Sequence, residues 1–289
     1  LKPAPIAPVP DPMVSILAGT LLVATALFSQ PLQPEAEGVP SQPTQGLPDH
    51  SLFSALLARV VEVPYVDYVA LKQAPGELDR YLEALGATSL QLLESSPREA
   101  QLAFWINAYN ACMLRRVISH HPLADANPGL RWRLQNRVAG RPANSVWQIR
   151  DVFTGDFCMV AGEERSLDEI EHVIIRPMGE PRIHFAVNCA ARSCPPLVPE
   201  AYTAEELDRQ LDARVRAFVA TPAQFAPDPE AGVVRLNSIL NWFGEDFGGP
   251  EGVKSFFVPY LSGEAREMME DPAVELSFMD YDWTLNERP

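Results

Sequence analysis

The chain has 289 residues, 47% hydrophobic and 21% charged, with 38 acidic against 23 basic side chains and a formal net charge of −15. That composition excludes a disordered chain, and the length suits one large domain or two small ones. A surface this acidic repels phosphate backbones and anionic lipid, so nucleic acid is not an expected partner and a small molecule or peptide is.

Ten of the 28 prolines lie in the first 48 residues, which rules out regular structure throughout that stretch. Residues 1–12 read as a Pro-rich extension and residues 30–48 as a Pro-rich linker. Between them, the uncharged run from Met13 to Phe28 has 16 residues, short of the roughly 20 that span a bilayer as a helix. Residues 13–29 therefore read as a signal-peptide-like or anchor segment, with Ala24-Thr25-Ala26 as a small-residue cleavage pattern. The expected location is exported, periplasmic or extracellular, or membrane-anchored through residues 13–28 if they are not cleaved.

Residues 49–289 read as a single globular domain. Apolar residues three and four apart predict helices over Ser51 to Arg59, Glu77 to Leu85 and Glu99 to His120. Tyr65 to Val69 alternates like an edge strand, and Pro75-Gly76 breaks the chain before the second helix. Phe153, Phe157, Met159 and Val160 around Gly155 predict short strands and a turn within Trp147 to Gly162. Ser166-Leu167-Asp168-Glu169 is a capping box opening a helix that Pro177 ends. Arg182 to Asn188 alternates, with Ile183, Phe185 and Val187 on one face, and reads as the strongest strand. Glu205 to Val219 and Asn237 to Phe243 are further helices, Gly248-Gly249-Pro250 a turn, and Phe256 to Leu261 and Leu276 to Met279 close the domain. Helices before Pro122 and mixed elements after it predict an α+β fold, a helical N-terminal half packed on a small mixed or antiparallel sheet.

Several polar residues fall where chemistry is expected. Asn107 and Asn110 lie on a helix apolar on more than one side, so both amides are buried and need partners. They either tie loop backbone to the helix, or Asn107 donates to an oxyanion or orients a catalytic His. Glu171 lies in the stripe of Leu167, Ile170 and Ile174, where a charged carboxylate needs Arg176, Arg182 or a His as partner; His172 borders that stripe. Cys189 and Cys194 sit in a small-residue turn after His184, with His184, His172 and Arg192 as local sources of thiolate stabilisation. Five extended steps place Cys189 roughly 16 Å from His184 unless the turn folds back.

The two thiols are either reactive or joined as a Cys189–Cys194 disulfide closing a short loop. A zinc site from His172, His184, Cys189 and Cys194 matches no strong ligand spacing, so neither a metal nor a cofactor is expected. Cys112 and Cys158 read as inert packing. Glycine-rich phosphate loops, GxSxG and HExxH are absent from the sequence.

The strings FWINAYNA at 104–111, SLDEIEH at 166–172, RIHFAVNCAARSCPPL at 182–197 and YDWTLN at 281–286 resemble domain-of-unknown-function family 547. VDYVAL at 66–71 and ILNWFGEDF at 239–247 extend the resemblance over roughly Leu52 to Asn286. Bacterial members of that family are commonly exported single-domain proteins. The family is distantly similar to papain-like and transglutaminase-like cysteine enzymes, which implies Cys189 as nucleophile, His184 or His172 as base, Glu171 as its orienter and Asn107 as polar support. The order departs from those enzymes, because His184 precedes Cys189. The implied activity is hydrolysis or acyl transfer on an amide or thioester; the alternative is a non-catalytic binding or scaffold module.

Overall fold

The computed structural model describes residues 46–126 and 129–289. The extension 1–12, the apolar segment 13–29 and most of the linker 30–48 lie outside the described residues.

The axis of the fold is the helix α5, Arg98–His120, and every residue from Leu102 to Leu114 on it is buried. A helix apolar on more than one side has to be wrapped by protein. Helices α1 (Ser51–Val60), α2 (Tyr68–Gln73), α3 (Gly76–Ala87) and α4 (Leu90–Glu94) supply part of that wrapping. The strands β1 (Val61–Glu62) and β2 (Tyr65–Val66) form an antiparallel pair. The predicted edge strand is cut short because the Asp67 carboxylate accepts the Ala70 N–H at 2.8 Å and starts α2.

A second hairpin, β3 (Cys158–Val160) with β4 (Glu163–Arg165), packs on α3. It accounts for only the end of the strand region expected over Trp147 to Gly162; the residues around Gly155 form turns instead. Cys158 is disulfide-bonded to Cys112 of α5 across 5.9 Å between Cα atoms. This corrects the expectation that both were inert packing.

The first, larger core surrounds α5. The second lies on a three-stranded sheet, in which β5 (Phe225–Asp228) pairs antiparallel with β6 (Val233–Leu236), and β6 pairs parallel with β7 (Glu275–Phe278). The helices α7 (Leu207–Val219), α8 (Ile239–Trp242), α9 (Gly249–Phe257) and α10 (Gly263–Glu270) supply its other walls. A short helix α6, Leu130–Val138, lies before the second hairpin in the chain. The architecture is α+β with small sheets, as the sequence predicts. No helix among the described residues is long and apolar enough to cross a membrane.

Two further segments differ from their sequence pattern, and both carry candidate residues. Residues 182–188 are not a strand: Pro181–Phe185 is a 3-10 turn, with the Ala186 and Val187 N–H groups donating to the Ile183 carbonyl at 2.9 and 3.0 Å. Ile183 enters the first core and Phe185 the second, so the apparent two-residue alternation reflects a turn wedged between two cores rather than two faces of a sheet. The capping box does open a helix, the Glu169 N–H donating to Ser166 Oγ at 3.1 Å. The Glu169 side chain pairs with Arg165 instead of reaching back, and the helix widens to π geometry over Glu169–Ile175 before the 3-10 turn Arg176–Met178.

Candidate functional site

The thiol turn is built on polar clamps. Asn110 donates to the Ala186 carbonyl at 3.0 Å and accepts the Asn188 N–H at 2.9 Å, fixing the turn to α5 from its N-terminal side. Asn188 in turn donates to the Pro195 carbonyl at 2.8 Å and accepts the Ala190 N–H at 2.9 Å. The loop between them bends at Ala190, whose φ is 61°. From the other side residues 281–286 close over it: Arg192 N–H to Thr284 O at 2.8 Å, Asn286 N–H to Ala190 O at 3.0 Å, and an isolated bridge between Ala191 and Leu285. Asn107, one turn earlier on α5, spends its amide on both backbone groups of Tyr202 at 2.8 and 2.9 Å. It ties a loop to the helix, and its hydrogen bonds among the described residues run to Tyr202 rather than to a histidine.

Cys189 and Cys194 are free thiols, not the short-loop disulfide; the exposure of Cys189 is intermediate, and Cys194 is buried. The Cys189 N–H donates to Cys194 Sγ at 3.0 Å, and Cys189 Sγ lies 3.2 Å from the Tyr281 hydroxyl. Burial opposes ionisation of Cys189, but the Cys194 thiol, the Tyr281 hydroxyl and the Ala191 backbone amide favour the thiolate and bring its pKa below the ordinary value. Burial and the adjacent Cys189 push Cys194 well up, and burial with both cysteines does the same to Tyr281. Both therefore stay protonated; the Tyr281 hydroxyl is placed to donate to Cys189 Sγ, while Cys194 Sγ accepts the Cys189 N–H and donates to the Val187 carbonyl at 3.8 Å.

The histidines belong to a second polar group. His184 is buried, stacks on Phe243 at 4.3 Å between centroids, and places Nε2 2.7 Å from Asp246 Oδ2. Asp246 also accepts two hydrogen bonds from Arg176, from Nε at 2.6 Å and Nη2 at 2.7 Å. Arg176 Nη1 donates to His172 Nδ1 at 3.1 Å, so this imidazole is held neutral. Burial first, then the Arg176 and His184 charges, bring His172 down to about 4. Burial also lowers His184, against the Asp246 carboxylate beside it. Asp246 itself is held well below the carboxylate range, since the hydrogen bonds from Arg176 and His184 and their charges outweigh burial.

Glu171 interacts by charge with both groups. Its burial raises the carboxyl from 4.5 to about 7, against the Tyr109 hydroxyl and the Arg176 charge, which favour the carboxylate. Neither expected arginine forms an ion pair with it: Arg176 is taken by Asp246, and Arg182 by Glu180, Asp208 and Asp212. Its negative charge also acts on Cys189. The structure thus joins His172 to His184 and Cys189 to Cys194, with the charge of Glu171 felt in both groups and Asn107 apart. Among the described residues, no three His, Cys, Asp or Glu side chains are grouped to hold a metal ion. Sequence reasoning missed Asp246, Tyr281 and Tyr109; all three lay inside strings quoted for the family resemblance, as a carboxylate between Phe243 and Phe247, as the opening tyrosine of YDWTLN and as the tyrosine of FWINAYNA.

No curated protein and no solved structure matches the chain. Residues 93–219 match the family model described as "Protein of unknown function, DUF547". That segment holds α5, both histidines, Glu171 and both free cysteines, while Asp246 and Tyr281 lie beyond it. The cysteine-bearing segment is similar to that family over these residues.

Proposed function

We propose that this domain is a cysteine-dependent hydrolase or acyltransferase acting on an amide or thioester of a small molecule or peptide, with Cys189 as the nucleophile. The observation that supports it is the environment of Cys189, a free thiol on a partly exposed residue, with the Tyr281 hydroxyl 3.2 Å from its sulfur and neighbours that favour the thiolate. The thiolate would attack the carbonyl carbon, the amine or thiol would leave with a proton, and water or a second nucleophile would release the acyl group. Glu171, ionising at about 7, is the group suited to take up and return that proton near neutrality. His184 and His172 serve as positioning residues through Asp246 and Arg176. This is the chemistry of papain-like and transglutaminase-like enzymes, with the His before the Cys in the chain. An exported setting is supported by the apolar run 13–28 and by the closed Cys112–Cys158 disulfide, a bond that persists in oxidising compartments.

One observation favours a non-catalytic binding module instead: the hydrogen bonds of Asn107 and one nitrogen of His184 are spent within the fold. pH-dependent iodoacetamide labelling with mass spectrometry separates the two. The enzyme reading expects Cys189 to label with a midpoint below the free-thiol value of about 8.5, and turnover of thioester probes to vanish in Cys189→Ala. Labelling no faster than that of a free cysteine, with no turnover, favours the binding module.

A further inference from the structure

Helix α6 is amphipathic in the wrong direction for a soluble protein. Its sequence is LRWRLQNRV, and a rotation of about 100° per residue sets Leu130, Leu134 and Val138 along one stripe. A stripe of that kind is expected to face a core. Here the three are 84%, 60% and 81% exposed. The opposite side of the helix faces the protein, through Trp132 Nε1 and Asn136 Nδ2, which donate to the Trp147 carbonyl at 2.7 and 2.6 Å. The helix is therefore anchored by its polar and aromatic side and holds its aliphatic side outward.

The charge around that stripe is equally one-sided. On the helical wheel Arg131 flanks it on one edge, and Arg133 and Arg137 on the other, and all three are exposed. From Gly129 to Arg150 the chain has five arginines and no acidic residue. This stretch carries +5, which leaves −20 on the rest of a chain whose total is −15. Aliphatic side chains one turn apart with arginines on both borders are the pattern of a helix lying in the headgroup region of a bilayer.

We propose that α6 docks this protein on an anionic lipid surface, with Leu130, Leu134 and Val138 entering the headgroup boundary and Arg131, Arg133 and Arg137 pairing with lipid phosphates. A two-fold contact with a second copy through the same face would set arginine against arginine, and docking onto another copy's acidic surface would be an open-ended contact. The acidic remainder of the chain is repelled by such a membrane, so only this side can approach it. The docked side adjoins the thiol turn: Trp147, whose carbonyl anchors α6, packs its ring on Trp283 at 5.2 Å, Trp283 on Tyr281 at 4.6 Å, and the Tyr281 hydroxyl lies on Cys189. The proposal does not depend on Cys189 being a nucleophile.

The test is co-sedimentation of the full chain with vesicles of phosphatidylcholine alone or mixed with phosphatidylglycerol, at low and high salt. We expect binding to the mixed vesicles that weakens with salt, and a loss of roughly 100-fold in Arg131→Gln/Arg133→Gln/Arg137→Gln, at about fivefold per arginine. Leu134→Ser/Val138→Ser should lose binding as well, with both variants melting like the parent because the changed side chains are exposed. No preference for the anionic vesicles overturns the proposal. So does binding that both variants retain, which would assign it to residues 13–28. A concentration-dependent dimer that Leu134→Ser/Val138→Ser dissolves, without vesicle binding, would make the face a protein contact and overturn it too.

Discussion

Glu171 and His172 are neighbours in sequence whose proton affinities move in opposite directions, and their pH dependences oppose each other. Glu171 keeps its proton in the folded state up to about 7, where the unfolded chain loses it near 4.5. Its contribution to stability is complete below about 4.5 and is lost as pH rises to about 7. His172 falls from 6.5 to about 4 on folding, so its contribution is present above 6.5 and is lost as pH falls toward 4. Between about 4.5 and 6.5 the two slopes oppose. Glu171→Gln removes one of them, so the variant's stability relative to the parent should rise by up to about 1.4 kcal/mol per pH unit across that range and level off above 7. Denaturant melts over a pH series measure this directly; a pH-independent difference would mean that Glu171 is ionised throughout. Glu171 was legible from sequence because a carboxylate in an apolar stripe has few physical explanations. Its surroundings were not: Asp246 meets His184 from 62 residues away and Tyr281 meets Cys189 from 92, and no local period encodes such a pairing.

At the scale of elements, the long helices α1, α3, α5 and α7 follow their apolar spacing closely, because each presents several turns of side chain to a core. Short buried segments defeat the same reasoning. In the 181–188 segment nearly every residue is buried, so apolarity alone could not separate a strand from a turn packed on all sides. The turn carrying Asp246, Gly244–Phe247, is held by an equally close fit. A Cβ on Gly252 of α9 would lie 1.8 Å from the Phe247 carbonyl oxygen, a backbone atom that cannot swing aside. Gly252→Ala should therefore destabilise the fold by about 1–3 kcal/mol and displace Asp246 from His184, which histidine NMR titration would register as a changed His184 pKa. The Cys112–Cys158 link joins α5 to the β3–β4 hairpin across 46 residues. In the chain-entropy model, removing it costs about 4 kcal/mol, so calorimetry should show a clearly lower Tm for Cys112→Ala/Cys158→Ala, while Cys194→Ala has no cross-link to lose.

Over the whole molecule the net charge misleads when read as an average. An excess of acid argued against anionic surfaces, yet the basic residues from Gly129 to Arg150 are segregated from it on one stretch of chain. The last residues of the domain reach back across the whole fold. The Tyr68 hydroxyl donates to Asn286 Oδ1 at 2.7 Å, Val66 bridges Glu287, Glu287 meets His121 Nε2 at 2.6 Å, and Arg288 pairs with Asp67 at 2.8 Å. The same strand of chain covers the thiol turn through Tyr281, Asp282, Thr284 and Asn286. A protein is made from its N-terminus, so α5, the histidines and both free cysteines emerge from the ribosome well before the segment that encloses them. Throughout that interval Cys189 and Cys194 lack their cover, and the turn acquires its final surroundings only when residues 281–288 arrive. Completion of this site is therefore timed by translation: the stretch that sets the environment of Cys189 is made about 92 residues after the thiol itself.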